Sequence, residues 1–396
     1  MFQKRGQPQP KGFFARHRLW IAITSLIGTI VGAGILGLPY VISQVGLLYG
    51  AILIVLLGLA FLCINLFLGE IVLRTDGKHQ LTGYAEKYLG PTGKKIMTFS
   101  MLIGIYGALI AYLIGEGAAL HAIFKIGAPI YYSIGFFIIG IFIVIKGVKA
   151  TGKAELILIG LLFLVVFAIG LLSLNKIDPT NFTTHDLAKL LIPYGVIVFA
   201  YGAGPVIPEL KEELGNEKKK LKKAIIIGSC IPIFLYLIFT LVIMGLVGLP
   251  QFQALEPNER IATVALSIYA NPLLGFLANF LAVLTMFTAF LSLSLALVEM
   301  YHYDYGIAKK WSYLLTFIFP LIIVLMGLTN FIAALDITGT VAGGLGGTLY
   351  VLMYWKAKTK GDRKPEYSLN IPRMIGYLLI AMFISGIVHE LWVKLL

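Results

Sequence analysis

Residues 28 to 40, Gly28-Thr29-Ile30-Val31-Gly32-Ala33-Gly34-Ile35-Leu36-Gly37-Leu38-Pro39-Tyr40, lie in the middle of an apolar run from 19 to about 46. The run is long enough to cross a bilayer as a helix, which takes about 20 apolar residues. Yet four glycines and a proline in thirteen positions are poor helix material, each glycine costing about 1 kcal/mol relative to alanine. In lipid the backbone must satisfy its own hydrogen bonds, so an unwound stretch survives only where it lines a cavity or is buried in protein. The sequence therefore predicts a helix that breaks near residues 32–34 because its freed amides and carbonyls bind something.

The rest of the chain is membrane material too. Apolar residues fill 59% of the 396 positions and only 13% are charged, against roughly a quarter charged in soluble domains. Eleven predicted spans cover 19–46, 47–73, 96–121, 129–147, 154–174, 188–209, 224–249, 271–299, 311–328, 330–355 and 372–395. Cys63 and Cys230 both fall inside spans with no paired motif, which suggests neither disulfides nor a metal site. The basic segment 1–18 is read as a cytoplasmic tail and not as a removable signal peptide.

The net charge of +13 takes its meaning from where the charges fall. With the N-terminus inside, only Lys125, Lys176, Lys189, Arg260 and Lys394 of the 32 Lys and Arg residues fall on outer segments. That asymmetry is what the positive-inside rule expects. An odd number of crossings then places the C-terminus outside the cell membrane. The cluster Lys218-Lys219-Lys220-Leu221-Lys222-Lys223 reads as a topology signal facing anionic membrane lipid and not as a nucleic-acid patch. Asn181-Phe182-Thr183 is a glycosylation sequon by pattern alone.

The sixth span repeats the anomaly of the first. Phe199-Ala200-Tyr201-Gly202-Ala203-Gly204-Pro205 interrupts an apolar run, and proline cannot donate to the helical ladder. Eleven spans parse as a first five-helix repeat (19–174), a second (188–355) and an added helix (372–395), with the interrupted helices opening each half. Interrupted segments at corresponding positions of two inverted halves point to a secondary transporter's binding site. Gly339, Gly343 and Gly347, at four-residue spacing, read instead as close helix packing.

At this point the residues carry a family resemblance. The motif at 28–40 resembles the first-helix motif of the amino acid/auxin permease family and its bacterial aromatic amino acid permease relatives, within the amino acid–polyamine–organocation superfamily. Gly69-Glu70 near the inner end of span two, the inner loop Leu81-Thr82-Gly83-Tyr84-Ala85 and the span-eight stretch 285–292 support it. The resemblance implies an all-α LeuT-type inverted-repeat fold, with amino acid uptake coupled to protons or sodium. It implies that the substrate carboxylate meets backbone amides of Gly32, Ala33, Gly34 and Ile35, at the exposed start of a half-helix where dipole and free N–H groups favour an anion. The ammonium would be taken by carbonyls of Ile30, Val31, Phe199 and Tyr201. Side chains at Gly32, Gly34 or Gly202 would fill the ligand's space, while Ala203 and Tyr106 would shape the side-chain pocket.

Coupling is less marked. Sodium-coupled relatives place two adjacent hydroxyls on helix eight, facing carbonyls that correspond to Gly28 and Val31. Here Thr288 is followed by Ala289. Thr285, Thr288 and Ser292 still share one helical face, as a cation site or as ordinary hydroxyl-to-carbonyl packing. Span five has no mid-membrane lysine; Lys153 stands at its inner mouth. Acidic residues within spans are proton-relay candidates because a charge there is expensive, and Glu116 and Asp336 are the deepest. The missing hydroxyl makes H+ the expected coupling ion, with Na+ as the alternative and no cofactor.

A membrane enzyme would need a reactive constellation, and the chain has no His-Glu-x-x-His, no Gly-x-Ser-x-Gly and no Cys/His cluster. A channel would not need two broken helices at matching positions. The sequence thus predicts a plasma-membrane amino acid symporter working by alternating access. Its partners would be its substrate and lipid, and not nucleic acid.

Overall fold

The computed structural model describes residues 17–146 and 152–395; most of the expected tail 1–18 and of the inner loop 146–153 lies outside the described residues. All regular structure is helical, with no strand among the described residues. The first span is two helices, α1 (Arg18–Ile30) and α2 (Gly34–Val45), bent by 49° across the break. After α3 (Leu47–Arg74), α4 (Leu81–Phe124) joins a short inner helix to the third span. Gly90 makes the corner at φ 78°, a left-handed backbone that glycine adopts without a Cβ penalty.

The chain continues through α5 (Pro129–Ile145) and α6 (Gly152–Ser173). The sixth span is again broken: α7 (Tyr194–Tyr201) stops, a 3₁₀ turn covers Gly204–Val206, and α8 (Ile207–Leu214) resumes. Beyond α9 (Leu221–Leu246) two short helices, α10 (Leu249–Ala254) and α11 (Ala262–Tyr269), lie in the segment expected outside. Next come α12 (Pro272–Glu299) and α13 (Lys309–Leu325). The tenth span is α14 (Phe331–Ile337), a π turn over Thr338–Gly343 and α15 (Gly344–Lys360); α16 (Arg373–Leu395) ends the chain.

Helices thus occupy every predicted span, although counting by length and apolarity alone stops short of eleven. Seven helical stretches among the described residues are long and apolar enough to cross a membrane, or eight with the bent α1–α2 pair. One stretch, Tyr194–Leu246, holds both the sixth and seventh predicted spans. Helices α5 and α13 are shorter, at 17 residues each. The outward faces carry exposed Ile138, Phe142, Phe167, Phe234 and Leu378, as lipid-facing helices of a multi-pass membrane protein do.

The two broken helices cross at the centre. A β-carbon on Gly34 would lie 2.5 Å from Ala200 Cα, so the backbones of α2 and α7 touch. Gly339 packs as closely on α7, where its β-carbon would come 2.6 Å from Phe199 N; Gly343 abuts Val198 and Gly347 abuts Phe383. The glycine stripe of span ten is a packing seam.

Both ends are tied down. At the end expected to face the cytoplasm Glu70 is fully buried and takes Arg74 Nη2 at 2.8 Å, Lys358 Nζ at 2.7 Å and the Leu369 amide at 2.7 Å. This joins α3 and α15 to the loop before α16. At the outer end the Phe331 amide donates to Asn258 Oδ1 (3.1 Å), and Arg260 Nη1 donates to Tyr40 Oη (3.1 Å) while stacking over its ring. The α10–α11 segment is thereby held down over α2 and α14.

Candidate functional site

The two breaks open onto one cavity of about 160 Å³. Val31 N–H donates to Ile27 O (2.7 Å) and Gly32 N–H to Ile30 O (3.0 Å), which ends α1. Ala33, Gly34 and Ile35 follow with no preceding turn to receive their amides, as at any helix start, and none finds a partner among the described residues. Opposite them, the last carbonyls of α7 are unserved by a next turn. Phe199 O takes the Gly202 amide (3.0 Å) and Ala200 O takes Tyr236 Oη (2.8 Å). Val31 O and Val198 O take no hydrogen bond from any described residue. Unpaired donors at one break and unpaired acceptors spread over both suit a small zwitterion.

Of the residues expected to hold substrate, Ile30, Val31, Gly32, Gly34, Phe199 and Gly202 line this cavity. Ala33, Ile35, Tyr106, Tyr201 and Ala203 do not. Ala33 and Ala203 are wholly buried, and Ile35 faces a smaller apolar pocket with Phe239 and Leu281. Tyr106 points the other way on α4, its hydroxyl 2.6 Å from Tyr301 Oη and donating to Leu315 O (2.9 Å). Tyr201 turns from the cavity to donate to Ile54 O (3.1 Å) and stacks on Phe61. The Ile30 carbonyl, an expected ammonium acceptor, already takes Tyr236 Oη at 2.7 Å.

The glycines also divide differently from expectation. A β-carbon at Gly32 would face Tyr112 Oη at 3.4 Å and Ala289 at 3.9 Å, in the cavity. At Gly34 it would meet the α7 backbone. Gly34 is required by the helix crossing, Gly32 by the space.

Tyr112 is the residue the sequence reading missed. It is buried and lines the cavity, with a hydroxyl that no described group engages. Its position on the cavity-lining turns of α4, with Ile105 and Ala108, was the available signal. Tyr236 was missed as well; it sits in α9 and acts only through the carbonyls it bridges.

Gly28, Val31, Thr285, Thr288 and Ser292 also line the same cavity. Thr285 Oγ1 donates to Leu281 O and Ala282 O, and Thr288 Oγ1 to Thr285 O (3.0 Å), which leaves their lone pairs free. Glu116 and Asp336 lie off the cavity. Glu116 is fully buried and neither carboxyl oxygen has a hydrogen-bond partner. Asp336 lies against Gly195 of α7, beside Thr340 Oγ1.

The family model described as "Tryptophan/tyrosine permease family" matches residues 15–391. This is a different family from the amino acid/auxin permeases that the first-helix motif resembles. The chain is 29% identical over 378 residues to "Tyrosine-specific transport system 1" of Haemophilus influenzae, covering 90% of this chain and 94% of that one. It is 24% identical to "Glutamine transporter 2" of Aliivibrio fischeri, over 87% of this chain and 91% of that one. Among solved structures, MhsT in complex with L-phenylalanine superposes with a TM-score of 0.69 at 17% identity, covering 97% of this chain and 99% of that chain. The architecture is therefore the LeuT-type fold.

Proposed function

The chain belongs to the tryptophan/tyrosine permease family, and from that premise we propose that it carries aromatic amino acids across the plasma membrane by proton-coupled alternating access. It is an amino acid transporter and not an enzyme; its substrate class, coupling and cycle are the proposal. The observation that carries it is the pair of breaks at 31–33 and 202–203, opening unpaired amides and carbonyls onto one cavity.

A substrate carboxylate would take the amide of Gly34 and the hydroxyl of Tyr112, at a half-helix start where the dipole favours an anion. Its ammonium would take the carbonyls of Val31 and Val198. Aromatic substrates are favoured by a relative named for tyrosine and by the cavity's small residues on α4 and the tenth span; the glutamine relative keeps the side chain a matter for measurement. The cavity runs from Tyr112 toward Ser100 and Tyr350, the side that the basic loops mark as cytoplasmic, while Phe331 and Met286 pack over Gly115 on the other side. That asymmetry supports an inward-facing state in a cycle where the broken helices move against α4 and α12.

Proton coupling is supported by Ala289, which stands where a second cation-holding hydroxyl would be needed, and by the buried carboxyl of Glu116. Sodium is the second reading, favoured by Gly28, Val31, Thr285, Thr288 and Ser292 all lining the one cavity. Purified protein in sodium-free liposomes, given labelled tyrosine and an inward proton gradient, tests both. Accumulation that the gradient drives and an ionophore abolishes is expected. Strict sodium dependence would overturn the proton reading, and no transport of any amino acid would overturn the whole.

A further inference from the structure

One glycine of the tenth span lies between two hydroxyls. Gly339, Gly343, Gly344 and Gly347 each abut a neighbouring helix. A β-carbon on Gly346 would instead lie 3.2 Å from Ser100 Oγ and 3.3 Å from Tyr350 Oη. Two hydroxyl oxygens from different helices thus close on Gly346, too near for a β-carbon to sit unopposed, and Ser100, Gly346 and Tyr350 all line the cavity.

The chemistry of that spot is complementary to one kind of group. Ser100 Oγ donates to Ala342 O at 2.8 Å, so what it offers the cavity is a lone pair. Tyr350 Oη has no hydrogen-bond partner among the described residues, so it offers a proton and can also accept. A ring hydroxyl reaching these two oxygens from the cavity would donate to Ser100 and accept from Tyr350. The Tyr350 phenol also packs against Gly204. Along α4 the cavity is lined by Met101, Gly104, Ile105 and Ala108, about 12 Å from Ala108 to Ser100.

We propose that Ser100, Gly346 and Tyr350 form a distal subsite that reads the ring hydroxyl of a tyrosine-like substrate and sets its preference over phenylalanine. This rests on the reading of the cavity as an aromatic amino acid site. A site built to hydrogen-bond a substrate hydroxyl discriminates against the analogue lacking it, because its own polar groups are then left unpaired.

The test measures equilibrium binding of labelled tyrosine to the purified full chain, with competition by phenylalanine. Wild type is expected to prefer tyrosine. Tyr350→Phe should cut that preference about tenfold and leave phenylalanine affinity within about twofold. Gly346→Ala, which narrows the spot without touching backbone, should weaken tyrosine more than phenylalanine. Equal losses for both ligands, or an unchanged ratio in both variants, would overturn the subsite. Wild type that binds phenylalanine as tightly as tyrosine would overturn it too. Wild type that binds neither would overturn the underlying cavity reading and the subsite with it, a result distinguishable because no variant is then needed.

Discussion

The Tyr236 hydroxyl lies 2.7 Å from the Ile30 carbonyl oxygen and 2.8 Å from that of Ala200. One phenol thereby bridges the last turn of α1 to the last turn of α7, and Tyr236 itself is wholly buried. Leaving a buried acceptor unmet costs about 1–3 kcal/mol. Tyr236→Phe removes the donor from both carbonyls at once while keeping the ring. We expect a lower melting temperature, and substrate affinity reduced about tenfold because the two breaks lose their common tether. A variant that melts and binds as wild type would show that the bridge is incidental.

The two central glycines should respond in opposite ways. Gly32→Ala has 3.4 Å to Tyr112 Oη, so the protein should fold and melt normally. Its methyl occupies space assigned to the carboxylate, so binding should fall at least tenfold. Gly34→Ala drives a methyl onto the Ala200 backbone and should fail chiefly in folding, seen as aggregation on size-exclusion chromatography. Tyr112→Phe keeps the packing and should weaken binding about tenfold or more, as loss of a hydrogen bond to a charged group does. A Gly34→Ala protein that is monodisperse but does not bind would reverse the roles given to these two glycines.

Those residues also mark what could be read from sequence. The breaks were legible because glycine and proline in an apolar run conflict with the need of a membrane helix to satisfy its own backbone. The direction in which each glycine faces was not, since it depends on how α2 crosses α7. Tyr106 and Tyr112 show the same limit. Both are tyrosines in an apolar span, and only the rotation of α4 against its neighbours turns one toward Tyr301 and the other into the cavity. Tyr236 carried no local signal at all, for its partners are main-chain atoms of distant segments.

Glu70 anchors the end expected to face the cytoplasm. Its carboxylate is fully buried and meets Arg74, Lys358, Ser368 Oγ and the Leu369 amide. Removing one partner of a buried charge pair costs about 3–5 kcal/mol. Arg74 and Lys358 keep side-chain exposures of 15% and 29% and can rehydrate, so Glu70→Ala is expected at or below the lower end of that range. The clamp joins scaffold elements away from the cavity. Its loss should therefore lower the melting temperature in detergent while ligand affinity of the folded fraction stays within about threefold. Lost affinity with unchanged melting would place Glu70 in the transport cycle instead.

Glu116 separates coupling from carriage. An ionised carboxylate with no partner is expensive inside a membrane protein, and both of its oxygens lack one here. Glutamine keeps the shape and removes the exchangeable acid. If this carboxyl carries the coupled proton, Glu116→Gln should still exchange labelled tyrosine for unlabelled across liposomes, since exchange needs only the loaded carrier. The same liposomes should no longer accumulate substrate when a proton gradient is imposed. Asp336, beside Gly195 at the start of α7, is the comparison: Asp336→Asn failing in this way while Glu116→Gln concentrates substrate normally would move the proton site to the tenth span.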